Sequence, residues 1–569
     1  MRGFIGAVAG LAAVASATPS LSIETIHDGA APIISSTNAE AVPNSYIIKF
    51  KKHVSESGAE DHHSWVQQLH ASSQNERLEL RKRGQEPLVD NVFHGLKHTY
   101  KIGKDFLGYA GHFDEDTIEK VRRHPDVSAT LNPSPDEIPN TKLHQSKLGV
   151  RHNWPWPFVE FIEVDSVVHT QVPVQSQGSQ IEDTCDGELE KLAPWGLARV
   201  SHRKSLGFGT YDKYLYAEEA GEGVDAYVID TGTNVDHVDF EGRAKWGKTI
   251  PSGDQDADGN GHGTHCSGTI AGKKYGVAKK ANVYAVKVLR SNGSGTMSDV
   301  VKGVEWAATS HSQQVQAAKD GKRKGFKGSV ANMSLGGGKT QALDAVVNAA
   351  VDAGIHFAVA AGNDNADACN YSPAAAEKAV TVGATELGDR RSYFSNYGKC
   401  TDIFAPGTNI KSTWIGSKYA VNTISGTSMA SPHICGLLAY YLSLQPASDS
   451  EYSVAPITPE KLKKALISVG TVGALSDIPR DTPNVLAWNG GGCNNYSAII
   501  EAGSYTVKQE TKETTIDDLE KAIEEDFEVL SGKVVKGAKN IGTKAEKLAK
   551  KIHNLVDEEL KEFLRETAL

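Results

Sequence analysis

The stretch Gly223-Val-Asp-Ala-Tyr-Val-Ile-Asp230 is short, apolar, rich in β-branched residues and opened by a glycine, which is how a strand buried on both faces reads. The same texture recurs at Val283 to Leu289, at Gly328-Ser-Val-Ala-Asn-Met333 and at Ile355-His-Phe-Ala-Val-Ala360, while Ser298 to Thr309 and Thr340 to Ala353 carry helical spacing. Short apolar strands separated by helices predict an α/β domain from about residue 190 to 490, built on a mostly parallel sheet flanked by helices. Open sheets of this kind bind ligands at the carboxyl ends of their strands, so the polar residues that follow these runs are the first candidates for chemistry.

Asp230 ends the first of these strands, and alone it could be a turn or cap residue. The segment Asp254-Gln-Asp-Ala-Asp258-Gly259-Asn-Gly-His262-Gly-Thr-His265-Cys266-Ser-Gly268 begins like a calcium loop, but His265 stands where a bidentate Glu is required, so that reading is rejected. What remains is His262 between two glycines, a setting that lets backbone and substrate approach an imidazole closely; His265 and Cys266 read as packing residues. Ala360-Ala361-Gly362-Asn363 presents an amide at the same sheet edge. Such an amide can form an Asx turn, or it can donate to the oxyanion of an acyl transfer, typically worth about 3 to 4 kcal/mol. Ser425-Gly-Thr-Ser428-Met-Ala-Ser-Pro432 opens an apolar helix, whose N-terminus offers backbone N–H groups to an anion. Chemistry alone does not choose between Ser425 and Ser428. A serine needs a His to take its proton and an Asp to fix that His.

These four motifs, in the order Asp, His, Asn, Ser, resemble those of the subtilisin-like serine proteases. The resemblance implies that Asp230 orients, His262 acts as general base and acid, Ser428 attacks, and Asn363 with the Ser428 N–H forms the oxyanion hole. Ala193-Pro-Trp-Gly-Leu-Ala-Arg-Val-Ser-His202, Cys266 and Arg391-Ser-Tyr-Phe-Ser-Asn-Tyr-Gly398 look like the proteinase K branch, and most like the fungal vacuolar proteinase B (cerevisin) group. By the same resemblance Gly293, Ser294 and Gly295, with Ser334, Leu335 and Gly336, are expected to pair with an extended peptide as added strands. Main-chain pairing reads no side chains, so specificity is expected to be broad. Ala360, Ala361 and Gly362 are expected to leave a roomy primary pocket for large apolar or aromatic residues. The resemblance further implies a Cys369–Cys400 disulfide and a structural calcium at Asp402 with the Glu377 and Ala379 carbonyls, a solvated loop acid being the alternative for Asp402; catalysis itself needs no cofactor. Cys266 and Cys435 are expected to remain buried thiols.

Upstream, Ser45 to Phe50, Gly95 to Tyr100 and Gly108 to Phe113 read as strands, and Glu60 to Ser73 and Asp114 to His124 as helices, a compact α+β module with its folded part at about 44–133. Gly108-Tyr-Ala-Gly-His-Phe-Asp-Glu looks like the inhibitory propeptide of the same proteases, which implies a ferredoxin-like chaperone over 18–135. Residues 136–190, with Trp-Pro-Trp-Pro and Gln-Ser-Gln-Gly-Ser-Gln, are expected to be an extended linker holding the maturation cut. Met1 to Ala17 reads as a signal peptide cut after Ala17. The body is expected to span 191–495. In 496–569, Ile516, Leu519, Ile523, Phe527 and Leu530, then Leu548, Ile552, Leu555, Leu560 and Phe563, form apolar stripes of one or two amphipathic helices, packed on the body or removed.

The chain has 569 residues, 39% hydrophobic and 23% charged, with 55 glycines, a net charge of -10 and six cysteines. That describes a soluble globular protein of several units, without the basic footprint of a nucleic-acid binder and without an apolar run long enough to span a membrane. Asn292, Asn332, Asn370 and Asn495 lie in N-x-S sequons, the first two beside the expected cleft. The expected partners are protein and peptide substrates and the chain's own propeptide, around a monomer. The vacuole is the favoured destination and the extracellular space the alternative. Rival readings are an inactive member serving as a binding protein, an inhibitor protein whose working part is the N-terminal module, and a membrane role for the C-terminal stripes.

Overall fold

The computed structural model describes residues 22–23, 30–36, 39–82, 93–124, 159–170, 187–207, 209–447, 449–450 and 456–507. The expected signal peptide, most of the expected linker and the stripes after residue 507 lie outside the described residues.

Seven parallel strands form the heart of a ten-stranded sheet: Ala244–Thr249, Asn282–Lys287, Val224–Asp230, Gly328–Met333, His356–Ala360, Val380–Thr385 and Ile403–Pro406, in that spatial order. Every residue of Val224–Asp230, His356–Ala360 and Val380–Thr385 is buried, which is why these strands read as continuous apolar runs rather than alternating ones. On one face the core is built from helices His262–Ala271 and Thr427–Ser443. On the other it is built from helices Met297–Lys319 and Gln341–Asp352. The body runs past the expected boundary at 495. Helix Tyr496–Ala502 buries Ile499 in the core, and Tyr505–Thr506 pairs with Thr471–Val472 at the sheet edge.

The N-terminal module contains strand Ala41–Phe50, helix Glu56–Lys82, strands Gly95–Ile102 and Phe106–His112, helix Glu115–Arg122 and strand Val159–Thr170. This is the expected ferredoxin-like order, but its last strand lies in the stretch expected to be an extended linker. Val159-Glu-Phe-Ile-Glu-Val-Asp-Ser-Val-Val-His-Thr170 pairs antiparallel with Ala41–Phe50 and sits inside the module's sheet. It is β-rich, and Val159 and Ile162 are fully buried in the module's own core. One face of this sheet covers its two helices; from the other, Ile47, Tyr100, Ile102, Phe106 and Phe161 enter the core around helices Met297–Lys319 and Gln341–Asp352.

Inside the module, the His62 ring meets Phe50, Trp65 and His124 at 5.1, 5.2 and 4.8 Å, and its Nε2 lies 3.1 Å from the Tyr109 hydroxyl. Burial, reinforced by the neighbouring His124 and His63, lowers the His62 pKa to about 3, and burial lowers His63 to about 4. These groups are neutral when folded and take up protons more readily when unfolded, so they stabilise the module above about pH 6.5. That contribution is lost as the pH falls from there toward their folded pKa values. Glu163 works in the opposite sense: burial raises it to about 7, so its protonated form favours the docked state below the ordinary carboxylate range, and that contribution fades as the pH rises through about 7. Hydrogen exchange of the intact chain is therefore expected to show faster opening of the module's core at pH 5 than at pH 7. Replacing His62 and His63 by Phe and Leu should flatten that difference.

Candidate active site

Asp230 closes its strand with zero exposure, and its carboxylate receives the His262 ring, Nδ1 lying 2.8 Å from Oδ1 and 3.0 Å from Oδ2. This pairing places the imidazole proton on Nδ1 and leaves Nε2 as the basic atom. The flanking glycines are sterically required. Gly261 has φ 100°, and a Cβ on Gly263 would lie 2.2 Å from the Gly232 carbonyl oxygen. Asp258, the last acid of the apparent calcium loop, caps this helix. It accepts from the Gly261 and Thr264 N–H groups at 2.9 and 3.0 Å and from the Thr264 and Thr231 hydroxyls at 2.6 and 2.9 Å.

Ser428 lies in the first turn of helix Thr427–Ser443, where Met429 and Ala430 donate to the Gly426 carbonyl and the Ser428 N–H finds no backbone acceptor among the described residues. Its Oγ donates to the Ser334 carbonyl at 2.9 Å. His262 Nε2 has no hydrogen-bond partner among the described residues, so the Ser–His contact requires the hydroxyl to turn about χ1. Ser425, the other candidate, is engaged by the Asn409 N–H at 2.8 Å. Asn363 Oδ1 accepts from the Thr427 N–H and hydroxyl, both at 2.8 Å, while its Nδ2 makes no bond within the described structure. The amide is thus fixed by its oxygen with both of its own donors unused.

Cys266 is buried beneath this group, its Sγ 3.4 Å from the Ser428 carbonyl. Asp230, His262 and Cys266 offer atoms within 4.8 Å of one another. They do not suit a metal: the carboxylate is already bound to Nδ1, and burial, with Asp230 nearby, holds the thiol well above its ordinary pKa and so protonated. His265 and Cys435 are buried as expected, and burial lowers His265 to about 3.

The expected peptide-binding segments are brought together, and they are filled. Ser294–Thr296 pairs antiparallel with Val159–Thr170, Ser294 opposite His169 and Gly295 opposite Val168; Leu335 pairs with Thr170 and Gly336 with His169. Gly293 lies in the turn just before the first segment and Ser334 just before the second. The same inserted strand supplies two acids that sequence reading missed. Glu163 accepts from the Gln341 and Ala342 N–H groups at 3.0 and 2.6 Å, and Asp165 from the Ser298 N–H and hydroxyl at 3.0 and 2.7 Å. Each carboxyl group caps the N-terminus of a helix of the body with its oxygens; at Glu163 burial outweighs the Ala342 and Gln341 N–H groups and favours the neutral form. Ala360 and Ala361 are buried at the end of strand His356–Ala360, with Gly362 at φ 106°.

Cys369 and Cys400 form the expected disulfide, and Cys493 is also disulfide-bonded. Asn332 is fully buried and its amide donates to Ser334 Oγ at 2.8 Å, so its sequon is closed to a glycan in the folded chain. The oxygens expected to hold calcium are already engaged. Lys463 Nζ lies 2.8 Å from Asp402 Oδ2 and donates to the Glu377 and Ala379 carbonyls at 2.9 and 2.6 Å. An ammonium at the centre of this oxygen set leaves no room there for a metal ion, so the residues as they stand do not fit calcium.

Comparison with known proteins agrees with this geometry. Residues 221–478 match the subtilase family and residues 45–132 match the peptidase inhibitor I9 family. The chain is 68% identical, over 98% of each sequence, to the subtilisin-like proteinase Spm1 of Pyricularia oryzae. It is 61% identical over 99% of each to the subtilisin-like serine protease Cla h 9.0101 of Davidiella tassiana. It is 64% identical to alkaline protease 2 of Aspergillus fumigatus, over 86% of this chain and 90% of that one.

Asp258 holds the backbone on both sides of His262, so Asp258→Asn is expected to lower kcat about tenfold, equivalent to about 1.4 kcal/mol of barrier. KM should hardly change. Steady-state kinetics on a peptide substrate checks this, and an unchanged kcat would show that the cap does not position the imidazole.

Proposed function

Because this chain belongs to the subtilase family of serine proteases and carries an I9 inhibitor module, we propose that it is a self-processing endopeptidase of broad specificity whose own strand Val159–Thr170 is its first occupant. The observation that carries this reading is that strand's pairing with both Ser294–Thr296 and Leu335–Gly336, the two segments an extended substrate would use.

In this reading a substrate adopts the course of the inserted strand and presents its scissile carbonyl beside Ser428. The Oγ turns from Ser334 to His262, gives its proton to Nε2 and attacks. Asp230 keeps the other ring proton on Nδ1 and stabilises the imidazolium. The tetrahedral oxygen takes hydrogen bonds from Asn363 Nδ2 and the Ser428 N–H, and the imidazolium then protonates the leaving amine. No step calls on a metal or cofactor. Pairing through main chain supports broad acceptance of sequences, and the small residues Ala360, Ala361 and Gly362 support a preference for large apolar or aromatic residues before the cut. Delivery is proposed through the secretory pathway. Of the two destinations, the extracellular one is carried forward, in keeping with the subtilisin-like and alkaline proteases to which the chain is similar.

Strand Val159–Thr170 ends one position short of Ser334, the residue whose carbonyl holds Ser428 Oγ. Self-cleavage is therefore expected immediately beyond Thr170. N-terminal sequencing of the released fragments, together with Ser428→Ala as a full-length control, checks this; a first cut upstream of Val159, or a cut in the Ser428→Ala chain alone in solution, would oppose it. Asn363→Ala is expected to lower kcat by about 10²–10³ with KM little changed, the signature of an interaction made only in the transition state.

A further inference from the structure

Three oxygens converge at the amino ends of two adjacent strands: the Glu377 and Ala379 carbonyls in the turn that leads into Val380–Thr385, and the Asp402 carboxylate just before Ile403–Pro406. Oxygen atoms gathered in this way repel one another unless a cation sits among them. The cation present is the ammonium of Lys463, carried by helix Pro459–Ser468 from a separate part of the chain. We propose that Lys463 is a tethered cation standing in for a structural metal ion, so that this corner of the body is held together without calcium.

The chemistry of the site suits an ammonium better than a divalent ion. An ammonium has three donors, and all three have acceptors here, at 2.8, 2.9 and 2.6 Å, which are charge-assisted hydrogen-bond lengths. Calcium requires six to eight oxygens at about 2.3–2.6 Å, and the set contains one carboxylate, enough to neutralise one positive charge. Asp402 is further fixed by the Thr381 N–H, which donates to the same Oδ2 at 2.8 Å. The lysine side chain is 18% exposed and the aspartate 22%, so the ion pair is largely withdrawn from solvent. The helix itself is anchored on either side of Lys463 by Leu462 and Leu466, both fully buried in the main core. Charge and core packing thus fasten the same helix to the sheet. A metal ion can be stripped by a chelator, whereas a side chain cannot leave.

The test uses the full chain carrying Ser428→Ala, so that it stays uncut, and reads Tm in calcium and in chelator together with calcium titration calorimetry. The parent is expected to show the same Tm in both conditions and no calcium uptake at this corner. Lys463→Met, which keeps the apolar stem, is expected to lower Tm by roughly 2–6 °C in chelator and to recover it in millimolar calcium. Adding Asp402→Asn should abolish that recovery. The proposal is overturned if the parent loses Tm in chelator and Asp402→Asn removes that response, or if Lys463→Met gains nothing from calcium. A calcium response of the parent that survives Asp402→Asn belongs elsewhere in the protein, and the Lys463→Met result then decides. Should Lys463→Met not fold, Lys463→Gln serves in the same comparison, and the parent's own chelator response still stands as a test.

Discussion

Strand Val159–Thr170 is hydrogen-bonded to two bodies at once. Its first half completes the sheet of the N-terminal module through Ala41–Phe50, and its last residues lie between Ser294–Thr296 and Leu335–Gly336 of the catalytic body. The rest of the arrangement depends on that shared strand. It sets the module over helices Met297–Lys319 and Gln341–Asp352, aims Glu163 and Asp165 at their N-termini, and directs the chain toward Ser428. Each hydrogen bond is modest on its own, but main-chain pairing on both sides, two buried carboxylate caps and an apolar interface around Tyr100, Ile102 and Phe106 act on one rigid element. An inhibitor fixed in this way resembles a substrate in backbone and remains part of the enzyme's own chain.

The reactive group follows from a simpler constraint. Parallel strands all end at one sheet edge, so whatever follows Val224–Asp230 and His356–Ala360 is delivered to one place, and helices starting there point their unpaired N–H groups into it. Asp230, Asn363 and the first turn of Thr427–Ser443 are placed by that geometry. His262 depends on a narrower fit: two glycines that let the strand and helix touch, and Asp258 holding the backbone between them. At the opposite strand ends the corresponding problem of unpaired oxygens is met by Lys463.

The strands and helices of the body were legible in the sequence because burial on both faces writes itself as apolar runs, as in Val224–Asp230, and because helix spacing in Gln341–Asp352 matches its buried side. The four residues proposed to react were read from motifs of local spacing, although only resemblance chose Ser428 over Ser425. What escaped was set by distant partners. Val159–Thr170 alternates like a strand, but the Pro-rich and Gln/Ser-rich segments around it argued for a connection, and its pairing partners lie more than a hundred residues away. A ferredoxin-like module needs a strand after its second helix, and that missing element was the signal that could have found it. Glu163, Asp165 and Asp258 are ordinary acids in sequence; they become caps only once helix N-termini are placed against them. Lys463 is one lysine among several on an exposed-looking helix, and nothing local ties it to Asp402.

The most direct test of a serine nucleophile in a cleft filled by its own chain is labelling with a fluorophosphonate, followed by peptide mapping, at time points from the uncut precursor to the mature enzyme. A single adduct is expected, on Ser428, slow to form in the uncut chain and rising as the N-terminal module is lost. An adduct on Ser425 or another serine, or an uncut chain labelled as fast as the mature one, would contradict it.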